Sequence, residues 1–301
     1  MGSTLRSSQR TKAIGQALLV TLLWSTSWVL IKFGLEEIPA LTFAGLRYTL
    51  AFLVLLPLVF RRRRDVDLDQ ISSKTWLQLV ALGLLYYAVT QGAQFIGLSY
   101  LPAITVNLLI SFTVIVVVLL GIWLLRELPT KGQWIGMLVF LAGVAIFFYP
   151  PVFPSDQATG VIVVLVGVIA NAFSSILGRD LNRSKSLPPM VITVISMGIG
   201  GLILLIAGIA FQGFPSLSLM NWGIILWLAV VNSAFAFTLW NHTLRTLSAL
   251  ESTLINNTML IQIPILAWLF LDEDPTGMEL LGMVLAGAGI LVVQLRWRRD
   301  S

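Results

Sequence analysis

Glu127-Leu128-Pro129-Thr130-Lys131-Gly132-Gln133-Trp134-Ile135-Gly136-Met137 is matched, 146 positions later, by Glu273-Asp274-Pro275-Thr276-Gly277-Met278-Glu279-Leu280-Leu281-Gly282-Met283. The same frame holds without a gap over 101–146 and 247–292, pairing Leu101 with Leu247, Ala103 with Ala249, and Ala142-Gly143 with Ala288-Gly289. Nearer the start, Trp24-Ser25-Thr26-Ser27-Trp28 lies opposite Asn171-Ala172-Phe173-Ser174-Ser175, and Lys32 opposite Arg179, at an offset of 147. The chain reads as a duplication. Both copies are apolar: 57% of residues are hydrophobic and 11% charged, with a mean hydropathy of +0.91, against about a quarter charged in soluble domains. This is the composition of an integral membrane protein.

A span needs about 20 apolar residues, and ten are expected, near 14–33, 41–60, 75–97, 102–123, 131–149, 160–178, 190–210, 222–242, 252–271 and 277–295. Seventeen of the nineteen Lys and Arg residues then fall on one side of the bilayer, before span one and after spans two, four, six, eight and ten. Cytoplasmic loops carry such an excess, so both termini are expected in the cytoplasm. The same pattern accounts for the net charge of +5 without a nucleic-acid partner. The first apolar run is too long for a cleaved signal and is read as retained. Two copies share ten spans, five each, and an odd number makes the second copy enter the bilayer from the opposite side. The expected fold is all-α, with inverted five-helix repeats at 1–149 and 160–301 joined by an external, proline-rich linker at 150–159. Inverted repeats around a midplane site are a recurring transporter construction, because exchanging the conformations of two similar halves turns an inward-open state outward-open.

The residue types that are missing narrow the chemistry. There is no Cys, one His (His242, near the end of span eight), and no Asp or Glu in the middle of any expected span. Thiolate metal sites and cysteine nucleophiles are excluded, and no metal site or cofactor is expected. Lipid-linked chemistry would call for paired acids or a nucleophile with its base, so an intramembrane lipid-modifying enzyme is the remote alternative. Proton-coupled carriers commonly use an intramembrane carboxylate, and its lack favours gradient-driven export or exchange.

Four pieces of sequence carry a family resemblance. They are Leu-Trp-Ser-Thr-Ser-Trp at 23–28, then Pro39, Phe43 and Arg47 where span two begins, then Leu-Pro-Ala-Ile-Thr-Val-Asn at 101–107, and the Glu-x-Pro-Thr junction at 127 and 273. In order, and over nearly the whole chain, they resemble the drug/metabolite transporter superfamily and, within it, the ten-helix EamA family. The resemblance implies a bacterial inner-membrane exporter of amino acids, aromatic or other neutral ones among them, or of related small metabolites. A drug or other metabolite carrier of the same superfamily is the alternative.

Polar groups in hydrocarbon mark interhelical contacts or a wet cavity. Helical spacing puts Trp24, Ser27 and Trp28 on one face of span one, and Asn171 and Ser174 on the matching face of span six. Tyr87, Gln91 and Gln94 stripe span three, with Gly83 and Thr90, while Asn107 and Ser111 lie in span four. Asn232 and Trp240 lie in span eight, and Asn256 and Asn257 in span nine. For the Ser residues the competing reading is a hydrogen bond to their own helix. Aromatic walls with a few polar groups suit a small amphipathic solute. Arg47 is a cation about two turns into span two: it either snorkels and pairs with helix-end carbonyls or captures a substrate carboxylate. Lys32, with Glu36 and Glu37 close in sequence, is read as an interface anchor. Pro264 and Gly200, with Gly198 and Gly201, are candidate hinges. Gly132 and Gly136 in span five, and Gly282, Ala286, Gly287 and Gly289 in span ten, mark these spans as scaffold and as a candidate homodimer surface.

Overall fold

The computed structural model describes residues 2–61, 71–125, 129–149, 155–183, 187–243, 246–247 and 255–294. Arg62 to Arg64, Arg126, Glu127, the linker residues 150–154, Lys185, Arg245, Thr253 and Arg296 to Arg299 lie outside them, as do the side chains of Arg61, Arg179 and Arg183. Every regular element among the described residues is helical. Seven helices are long and apolar enough to cross a membrane, and Lys131–Phe147, Met259–Leu271 and Gly277–Val293 are shorter apolar helices. They fall on the ten expected spans. Span one is longer than expected, its helix running over Gly2–Leu35. Below, the basic face is the one carrying the N-terminus and the loop after span two; the opposite face carries the loop between spans one and two.

The repeated Pro-Thr motif is a pair of helix starts. Thr130 accepts from the Gln133 N–H while the Gln133 side chain accepts from the Thr130 N–H, a reciprocal capping box that begins span five. In the 146-residue frame Thr276 and Glu279 make the same exchange at the start of span ten. Each box satisfies donors that the first turn of a helix leaves open. Asp272, in the left-handed region at φ 53°, ends span nine and lets the chain turn tightly into that second box.

Two pairs of repeat partners pack on each other along most of their length, and spans four and nine meet more briefly. Spans two (Ala40–Arg61) and seven (Pro189–Gln212) run together along their length, as do spans five and ten. Close approach needs glycine in both. A Cβ on Gly143 would sit 2.6 Å from the Gly282 carbonyl oxygen, and one on Gly282 would sit 2.6 Å from that of Gly143. Most of the small residues of spans five and ten, expected as a dimer surface, therefore face each other inside the chain; Gly287 alone among them faces open space.

The remaining six spans exchange partners. Span one packs on spans eight and nine, and span six packs on spans three and four. Two three-helix bundles result, each borrowing its first helix from the other repeat, with spans two and seven between them.

Two distortions recur at repeat-related places. Span three (Ser73–Tyr100) holds a π-helical stretch at Gly83–Gln91, and span eight one at Leu228–Phe235. Span four is interrupted at Phe112, whose N–H donates to the Leu109 carbonyl, and span nine at Thr258, whose N–H donates to the Ile255 carbonyl. Phe112 and Thr258 correspond in the 146-residue frame. Broken helices in both halves are how transporters expose backbone and polar groups near a midplane site.

Candidate functional site

Three polar layers join the bundles or their parts. On the opposite face, Lys32 donates to the carbonyls of Leu98 and Leu101, both at 3.0 Å, where span three ends. The Glu273 carboxylate accepts from the Ala103 N–H at 2.6 Å and the Ile104 N–H at 3.0 Å, where span four begins. A cation thus sits at a helix C-terminus and an anion at a helix N-terminus, each opposite in sign to the helix dipole it meets. Lys32 belongs to one bundle, Glu273 follows that bundle's span nine, and both grip the other bundle across the Leu101-Pro102 turn. The expectation that Lys32 anchors to the interface is corrected: its ammonium is drawn inward by carbonyls left open at the end of a helix, while Glu37 accepts from Asn221 at 2.6 Å instead.

In the interior, the π-helical stretches supply the polar groups. Arg47 is 4% exposed, and its Nε donates to the Ser233 hydroxyl at 3.0 Å. Its guanidinium lies 5.1 Å from the Tyr48 ring centroid and 6.0 Å from that of Phe95, within cation–π range. The Tyr48 hydroxyl donates to Gln91 Oε1 at 2.6 Å, and Tyr87 packs edgewise on both Tyr48 and Tyr86. The Asn232 amide donates to the Leu23 carbonyl and, at 3.3 Å, to Thr26. Trp24 returns a bond from Nε1 to the Asn232 carbonyl at 3.1 Å, its ring against Phe237 and Trp240.

On the same turns of span one, Gln262 accepts from Ser25 at 2.9 Å and donates to Thr21 and Thr258 at 3.3 and 3.0 Å, tying span nine to span one. The repeat-related positions are Val168, Ala172, Phe112 and Val116, so this tie has no polar counterpart in the other bundle. Asn171 instead reaches Thr113 at 3.3 Å, joining spans six and four.

Of the residues singled out in the sequence, Trp24, Asn232 and Trp240 come together, Arg47 lies beside the next residue of span eight, and Tyr87 and Gln91 meet through Tyr48. Ser27, Ser111 and Ser174 hydrogen-bond to carbonyls of their own helices, the competing reading. Trp28 is buried in the apolar core, Asn107 is buried, Gln94 is half-buried, and Asn256 is exposed. Asn257 lines, with Thr258 and Pro264, an apolar groove of about 810 Å³ between spans nine and ten, which diverge. Gly200 lies in an unbroken helix against the Gly83 carbonyl and the Tyr87 side chain, where it provides close packing. Gln262 stands out in sequence as a further polar group of span nine, with Asn256, Asn257 and Thr258. Tyr48, Ser233 and Glu273 were missed; they look, in sequence, like an ordinary span residue, a small residue and a loop acid.

The EamA-like transporter family model matches residues 11–149 and again 158–295. The "Uncharacterized transporter YoaV" of Bacillus subtilis (strain 168) is 26% identical over 91% of this chain and 93% of its own. The "Probable amino-acid metabolite efflux pump" of Escherichia coli (strain K12) is 25% identical over 94% of this chain and 95% of its own. The "Uncharacterized inner membrane transporter YedA" of the same strain is 26% identical over 83% and 79%. One solved crystal structure superposes with a TM-score of 0.67 at 19% identity, covering 96% of this chain and 99% of that one, and shares the fold. With both repeats matched, ten helices in place and the Lys32 and Glu273 contacts crossing between the exchanged bundles, the chain belongs to the EamA-like transporter family, a multi-pass membrane transporter of small metabolites and not an enzyme.

Proposed function

We propose that the protein exports amino acids, aromatic or other neutral ones among them, or related small metabolites across a bacterial inner membrane, with both termini in the cytoplasm, by alternating access between the two bundles. The observation that carries this reading is the clasp of Lys32 and Glu273 across the bundles at the opposite face. Its counterparts in the repeat frame are Arg179 and Glu127, which the expected topology assigns to the other side of the bilayer. A clasp on one face with repeat-related residues kept for the other is what a carrier needs if only one face is to open at a time. Substrate would lie between the clasp and the basic face, among Trp24, Tyr87, Gln91, Asn107, Asn171, Asn232 and Trp240. The amino-acid reading draws on the efflux pump of Escherichia coli named above.

A second reading, a carrier of hydrophobic solutes entering from the bilayer, is favoured by the groove between spans nine and ten, which Ile261, Pro264, Ile265, Trp268, Val284 and Leu291 make almost wholly apolar. Counterflow separates the two. Proteoliposomes loaded with unlabelled amino acids should accumulate labelled phenylalanine or leucine without a proton gradient. Accumulation only of apolar cations or neutral drugs would move the function to the second reading.

A further inference from the structure

The observation with most left unexplained is the charge at Arg47. It lies seven residues into span two, about 10 Å along the helix at 1.5 Å per residue. At 4% exposed it is as enclosed as the apolar core around it. A cation in this position ordinarily pairs with an acid or loses its proton, and a guanidinium does not lose its proton. Among the described residues no carboxylate lies within ion-pair range of it, and one of its five N–H donors is engaged, Nε with Ser233. The Nη edge takes no hydrogen bond among the described residues and is not sealed from open space.

The immediate neighbours are under-satisfied too. Among the described residues, the buried side-chain oxygens without a partner are Thr49 Oγ1 and Asn232 Oδ1. Thr49 lies two residues along the helix from Arg47 and faces span seven, while Asn232 adjoins Ser233 in span eight. Buried polar atoms are normally paired with protein or water, so the unpaired Nη donors of Arg47 are the feature that calls for a partner. The Tyr48 and Phe95 rings flank the guanidinium without neutralising it, and Ser233 fixes its plane from the π-helical stretch of span eight.

We infer that Arg47 is the anion subsite of the transport path, its Nη edge receiving the carboxylate of the solute in a bidentate pair, with Ser233 holding the guanidinium in register. This rests on the carrier reading and deepens it by naming the substrate class. The solute bears a carboxylate, and its apolar part meets aromatic surface. The planar fork of Arg offers two parallel donors to a carboxylate, which a lysine ammonium cannot reproduce.

The test is counterflow in proteoliposomes with two probes of one shape, L-phenylalanine and L-phenylalaninamide, on wild type, Arg47→Gln, Arg47→Lys and Ser233→Ala. The expected wild type carries the acid at least ten-fold better than the amide. Arg47→Gln loses ten-fold or more of acid entry and most of the discrimination, Arg47→Lys recovers part of the entry, and Ser233→Ala raises the half-saturating acid concentration several-fold with little change in maximal rate. A folded Arg47→Gln protein that carries the acid at the wild-type half-saturating concentration overturns the assignment. If Arg47→Gln does not fold, wild-type discrimination and the Ser233→Ala shift decide, and equal entry of acid and amide overturns it. Amide entry without acid entry overturns the subsite while leaving carriage intact. Absence of counterflow by either probe, with a folded protein, overturns the subsite; carriage by any solute of a wider panel then decides the carrier reading separately.

Discussion

Gln262 holds three hydrogen bonds within the bilayer, to Ser25, Thr21 and Thr258. Each such bond contributes about 0.6 kcal/mol on average in a membrane protein, so Gln262→Leu is expected to destabilise the fold by about 2 kcal/mol, read as a lower midpoint of thermal unfolding in detergent. Tyr48→Phe tests a different contact: it removes the donor to Gln91 and leaves a buried amide oxygen unpaired, at a cost of about 1–3 kcal/mol. An unchanged midpoint in that variant would mean water replaces the hydroxyl. At this scale the sequence is legible where a residue is out of place in hydrocarbon. Arg47, Asn232 and Gln91 stand out by type alone. Their partners do not, because Ser233 lies 186 positions from Arg47 and a serine in a span is ordinary.

Among elements, spans five and ten test how far glycine sets the packing. Gly143→Val puts a branched side chain where even a Cβ lies 2.6 Å from the Gly282 carbonyl oxygen, whereas Gly287 faces open space. Gly143→Val should lower folded yield and the unfolding midpoint, with an overpacking cost of about 1–3 kcal/mol, and Gly287→Val should leave both near wild type. Equal effects would show that this pair is not held by close approach. The spans themselves were readable because 20-residue apolar runs have few alternatives. Their interruptions were not. No glycine or proline stands at Phe112 or Thr258, and the π-helical stretches follow a backbone i to i+5 pattern that a 3.6-residue stripe does not anticipate.

For the whole molecule, the 146-residue frame made the duplication legible, and five spans in each copy is the ground for expecting the copies to be inverted. Correspondence between helices does not say which helices touch. The exchange of spans one and six between bundles follows from packing, and so does the meaning of Lys32 and Glu273, which are 241 positions apart in the chain and become one device only when spans four and nine converge. The chain has no cysteine, so Asn107→Cys, in the half of span four that the clasp holds, places a single thiol in the proposed path. The most direct measurement is its labelling by a membrane-impermeant maleimide applied from the opposite face, in the otherwise unchanged protein and with Glu273→Gln added. Slow labelling in the first and at least ten-fold faster labelling in the second is the expected result. Equal labelling in both would contradict closure of that face by the clasp, and with it the alternation between bundles.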